Sequence, residues 1–178
     1  MTTENLISTA DWALLTELTL NRPVNEVWPV FKDFYSWYTE YTIELVSGPT
    51  YQSGAGLVEE QVLKVTPTKD FTDAYSEEAS GPRYYIQKTI KIVPEKDIVA
   101  MLSGSAYDFA QYTSFYSWKM IPAAKQTTIL VGNYGQATLF KPLSSGGLSG
   151  YLEKFSRNWH RSWSEAFVSL QKAMDAIK

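Results

Sequence analysis

The chain has 178 residues, of which 44% are apolar and 20% charged, and a formal net charge of −3. This is the size and composition of one ordinary globular domain, 1-178, able to bury roughly 70% of its unfolded surface without a disulfide or metal. Zero cysteines exclude a disulfide scaffold, thiolate zinc sites and a cysteine nucleophile, and the lack of any basic run longer than a pair leaves no electrostatic footprint for phosphate backbones, so no nucleic-acid partner is expected.

The first residues, Met1 to Ser8, have neither a basic n-region nor a long apolar core, and no stretch nears the roughly 18 apolar residues of a membrane span. A cytoplasmic protein without membrane insertion is therefore expected. Six Trp, twelve Tyr and eight Phe bring the aromatic share to 15%. Rings that combine an apolar body with a polar handle suit a cavity wall; the alternative is an aromatic-rich core.

In chain order, Ala13 to Leu20 alternates polar and apolar residues and predicts a strand. Asn21 to Val24 breaks it. A helix capped by Asn25 or a neighbour follows, with Val27, Phe31, Phe34 and Tyr38 on one face, Pro29 early in it and a short helical turn near Ser36 to Tyr41. From Thr42 the helical period disappears. Strands are predicted over Thr42 to Ser47, Gly56 to Thr66, Arg83 to Val93, Ile98 to Ser105, Phe109 to Ile121 and Gln126 to Thr138, with short turns implying an antiparallel meander. The acidic stretch between Pro67 and Pro82 predicts a surface loop.

Ser149 to Lys178 predicts one long helix, with Ser149 as its N-cap. Leu152, Phe155, Trp159, Trp163, Ala166, Leu170, Met174 and Ile177 form its apolar stripe; Glu153, Lys154, Arg157, Arg161, Lys172 and Asp175 lie opposite. At 1.5 Å per residue it spans about 40 Å, and so needs a large concave partner.

This order resembles the helix-grip fold of the START-like (SRPBCC) superfamily, which holds Bet v 1-type pollen-allergen proteins, polyketide cyclases and dehydrases, and lipid-transfer domains. The stretch Leu18 to Asp33, with its Asn-Arg-Pro break and Val27-Trp28 pair, followed by Trp37, is similar to that superfamily's opening. Ile86 to Ile98 is similar to its central hairpin and Ser117 to Pro122 to a later one. The resemblance covers nearly the whole chain, but these are packing motifs. It implies an α+β fold, a curved antiparallel sheet of about seven strands wrapped around the C-terminal helix, with a cavity between them and no fixed reaction.

A single histidine excludes a His-Glu-x-x-His zinc site and a two-histidine facial triad, and no phosphate-cradling glycine loop occurs; no metal or cofactor is expected. Trp159 and Trp163 either plug the core or wall a cavity. Tyr112, Ser114, Tyr116, Trp118 and Met120 share one strand face by the two-residue period, and if it points inward the tyrosines bring hydroxyls into an apolar space. Tyr84, Ile86, Lys88, Ile90 and Ile92 share another, on which Lys88 either enters the cavity or snorkels out. One of Glu59 and Glu60 faces inward; an inward Glu60 would pair with Lys88 or act as a base. His160 borders the stripe and either points past Trp163 or stays in water.

The expected ligand-binding set is Tyr84, Lys88, Tyr112, Tyr116, Trp118, Trp159 and Trp163, taking a small hydrophobic or aromatic molecule. An enzyme of the cyclase, aromatase or dehydratase type would draw its proton-transfer groups from Glu60, Lys88, Tyr116 and His160. A third expectation is a pocketless domain whose rings fill the cup. The sequence leaves the oligomeric state open.

Overall fold

A computed structural model of the protein describes residues 3–68, 84–107, 110–142 and 147–177. Its elements are α1 (Thr3–Thr9), β1 (Trp12–Leu20), α2 (Val24–Lys32), α3 (Phe34–Trp37), β2 (Tyr41–Ser47), β3 (Val62–Pro67), β4 (Tyr85–Val93), β5 (Asp97–Tyr107), β6 (Ala110–Ala123), β7 (Gln126–Pro142) and α4 (Gly147–Asp175). The acidic stretch expected as a loop lies largely outside the described residues.

The strands form one antiparallel sheet in the order β1-β7-β6-β5-β4-β3-β2. Register shifts in the β2/β3, β4/β5, β5/β6 and β6/β7 pairs mark irregularities of the kind that bend and twist a sheet. Helix α4 packs against β1, β7, α2 and α3. Trp159, Trp163, Ala166, Leu170 and Met174 of its stripe are buried, and the stripe stops there, because Ile177 is beyond the helix and exposed. The helix begins at Gly147, so Ser149 lies inside it and is not its N-cap.

The two-residue period fixes the inner face strand by strand. Leu14, Leu18 and Leu20 on β1, Leu63 and Val65 on β3, Ile98 and Ala100 on β5, Trp118 and Met120 on β6, and Ile129 and Val131 on β7 share one apolar core with α2, α3 and α4. The outer face has a small cluster of its own, Val99 and Tyr134 with Ala10 and Phe115, beside the unforeseen α1.

The single helical face expected from Val27 to Tyr38 is split at Asp33. Helix α2 starts after Pro23 with no side-chain cap, in place of the expected Asn25, and Pro29 falls beyond its first turn. Asp33 is instead an anchor: its carboxylate accepts the Tyr51 hydroxyl at 2.5 Å and the Gly54 amide at 2.8 Å, pinning the loop after β2. Gly56, at φ +75°, passes so close to the end of α2 that a Cβ would meet the Lys32 carbonyl oxygen at 2.4 Å. β3 begins at Val62 and not at Gly56, and of the residues before it only Glu60 and Gln61 keep backbone hydrogen bonds to β4, both to Thr89.

Candidate functional site

Between α4 and the inner face lies a cavity lined by Phe34, Tyr35 and Tyr38 of the α2–α3 segment, Tyr41, Tyr85, Gln87, Leu102, Tyr116 and Trp118 of the sheet, and Trp159, Ser162, Trp163 and Ala166 of α4. Its volume is about 60 Å³. One water needs about 10–15 Å³ and an apolar cavity that takes up benzene about 150 Å³, so the space holds a few waters and a ring enters as the surrounding side chains move apart.

Its wall is a continuous chain of rings. Tyr116 lies 5.0 Å from Trp159 and 5.6 Å from Trp118, centroid to centroid. Trp159 is 5.8 Å from Trp163, which is 5.8 Å from Phe34. Beyond the kink at Asp33, between α2 and α3, Phe34, Tyr35 and Tyr38 line this wall, and the Tyr38 hydroxyl donates to the Ser162 carbonyl at 3.2 Å, tying α3 to α4.

The polar lining is organised by one relay. The Tyr85 hydroxyl bonds to Tyr35, whose own hydroxyl donates to Gln87 Oε1 at 2.8 Å. Burial pushes Tyr35 and Tyr85 well above the ordinary tyrosine range, because the phenolate would lose its hydration, so both are neutral hydroxyls at physiological pH. In the lining, the buried donors Gln87 Nε2 and Trp118 Nε1 have no hydrogen-bond partner among the described residues. The described lining carries no carboxylate, amine, guanidinium or imidazole.

Of the residues expected at the site, Tyr116, Trp118, Trp159 and Trp163 line the cavity. The side chain of Tyr112 lies outside the described ones. Tyr84 and Lys88 are off the cavity, because up to Lys88 their row faces outward, with Gln87 and Thr89 the buried residues of β4 at 2% and 0% exposure; beyond the register shift between Thr89 and Lys91 the row turns over and Ile92 packs on the core. Tyr84 stacks under Lys64 on that outer side, with Nζ 5.2 Å from its ring centroid.

Glu60 and Lys88 do pair, at 2.8 Å, but in solvent, with Glu60 in a left-handed turn at φ +63° and not on a strand. Glu59 also stays outside. Its carboxylate accepts the Ile92 amide at 2.8 Å and meets Lys91 at 3.1 Å, which together hold its pKa below the usual carboxylate range. His160 is exposed on the wet face of α4. Among the described residues no cluster of histidine, cysteine or carboxylate side chains has a metal-binding arrangement.

Reasoning from sequence missed Tyr35, Tyr41, Tyr85 and Gln87. A signal was present for the first: Phe34 and Tyr38 were placed on an inward face, and the kink brings Tyr35 in beside them.

No family model matches the sequence, and no curated protein is similar to it in sequence. Solved structures are similar to it in fold. The Zhui aromatase/cyclase from Streptomyces sp. R1128 aligns over 92% of this chain and 93% of its own, with a TM-score of 0.63 at 10% identity. Norcoclaurine synthase from Thalictrum flavum, solved with dopamine and hydroxybenzaldehyde, aligns over 100% and 95%, with a TM-score of 0.62 at 12% identity. Ara h 8.0201 aligns over 92% and 97%, with a TM-score of 0.60 at 15% identity. The fold is the START-like helix grip. At these identities the START-like neighbours establish the architecture alone, and no helix of the described residues is long and apolar enough to cross a membrane.

Proposed function

We propose that residues 1–178 form one cytoplasmic domain that binds a small, neutral aromatic molecule in the cavity between the sheet and α4. The carrying observation is the combination of a wall of rings with the buried donors Gln87 Nε2 and Trp118 Nε1, which no described residue satisfies. Buried polar groups are ordinarily hydrogen-bonded, so the ligand that fits carries an acceptor oxygen such as a carbonyl. The rings supply affinity by desolvation, at about 25 cal/mol per Å² of apolar area covered. That one neighbour is an aromatase/cyclase and another a synthase holding two aromatic compounds supports a ring-shaped ligand. Binding is favoured over proton-transfer catalysis because the described lining holds only neutral groups, two of them tyrosines whose pKa values burial raises.

The test is calorimetric titration with acetophenone and with α-methylstyrene, which replaces the carbonyl oxygen by a methylene. Acetophenone is expected to bind more tightly despite its stronger hydration. Absence of binding by either compound would overturn the proposal.

A further inference from the structure

A second set of buried polar groups lies beside the cavity and is not part of its lining. Asn133 and Ser114 are 1% and 0% exposed, and Asn133 Oδ1, Asn133 Nδ2, Ser114 Oγ and Trp12 Nε1 all lack a hydrogen-bond partner among the described residues. Strand register places the three residues together. Trp12 and Ser114 are the two cross-strand partners of Gly135, one on each side, and Asn133 is two residues away on the same face of β7.

Gly135 is what makes the grouping tight. A Cβ there would fall 2.0 Å from Cζ2 and 2.6 Å from Nε1 of Trp12, so the indole lies over the bare glycine with its N–H in that gap. Asn133 is then a diagonal neighbour of both Trp12 and Ser114. Diagonal side chains on a sheet face stand about 7–8 Å apart or somewhat less, too far to pair directly for short groups but within reach of one shared oxygen.

The set joins the cavity through two of its lining residues. Ser114 is the cross-strand partner of Leu102, which pairs on its other side with Gln87. Asn133 is the cross-strand partner of Tyr116. Gln87 and Ser114 are thus two strands apart, about 10 Å at the usual strand spacing, which is the length of a one-ring molecule with an oxygen at each end.

We infer that Trp12, Ser114 and Asn133 form a subsite for a hydroxyl group on the far end of the ring ligand. The chemistry selects a hydroxyl: Trp12 Nε1 only donates and Asn133 Oδ1 only accepts, so the group between them must do both, as a phenol does. All three side chains are uncharged, so the matching group is neutral. This inference rests on the cavity being a binding site, and its occupant is a para-oxygenated aromatic ring.

The test compares 4-hydroxyacetophenone with 4-methylacetophenone by calorimetry on the full chain. Burying a hydroxyl without partners is costly, so an apolar end would favour the methyl compound. The subsite predicts the opposite, a preference of about tenfold or more for the hydroxyl compound. Ser114→Ala and Asn133→Leu, made singly, are expected to remove most of that preference. Equal binding of the two compounds by the unaltered protein, as when water satisfies the three groups, overturns the subsite and leaves the cavity reading standing. Failure of both compounds to bind overturns the two together. The comparison on the unaltered protein is decisive even where a variant does not fold.

Discussion

The Tyr35 hydroxyl donates to Gln87 Oε1 at 2.8 Å, joining the short helix α3 to the inner face of β4 within the lining of the cavity. A buried amide on a strand is an expense unless something meets it, and Tyr35 meets half of it. Tyr35→Phe leaves Gln87 with no partner at either end. The expected loss is about 1–3 kcal/mol of stability, read by urea denaturation. Adding Gln87→Leu to that variant is expected to restore a good part of it, because both polar ends then disappear together.

Alkaline pH gives a second reading of the same relay. Tyr35 and Tyr85 have folded pKa values raised above that of an exposed tyrosine, so the folded protein holds protons that the unfolded chain releases. Stability from this source is fully present below about pH 10 and falls as pH rises above it. Denaturation midpoints are expected to be flat from about pH 7 to 9 and to drop beyond, with the drop shallower in Tyr85→Phe. Tyrosinate absorbance should appear in part only on unfolding.

Lys88 and Glu60 make an exposed pair on the far side of the sheet from the cavity. Lys88→Met and Glu60→Gln are therefore expected to change stability by no more than about 1 kcal/mol and acetophenone affinity by less than about twofold. A large loss of binding in either variant would return them to the site.

Ala166 is 1% exposed and is the smallest side chain that α4 turns into the cavity. Ala166→Leu should occupy part of the free space. We expect acetophenone affinity to fall about tenfold or more while the fold persists, at a cost of about 1–3 kcal/mol for overpacking.

The long helix and the β6 row were legible in the sequence because each buries one unbroken apolar face: Trp159, Trp163, Ala166, Leu170 and Met174 at helical spacing, and Trp118 and Met120 at the strand period. Strand β4 inverted that logic. Its inner face carries Gln87 and Thr89, while Ile86 and Ile90 lie on the other, so hydrophobicity alone puts the strand in backward by one residue. What reverses it is a partner 52 residues away, the Tyr35 hydroxyl, which no local pattern contains. Glu60 was misplaced for a related reason. Its segment packs on the end of α2 at Gly56 and enters β3 through a left-handed turn at Glu60, and only the tertiary fold brings those two backbones together.

The most direct measurement follows the six indole N–H signals of the protein in a ¹H–¹⁵N correlation spectrum while acetophenone is added. Trp118, Trp159 and Trp163 line the cavity and Trp28 does not. The three are expected to shift saturably with a single dissociation constant, with Trp28 unmoved. No saturable shift at those three, or an equal shift at Trp28, would contradict a ring-binding cavity beneath α4.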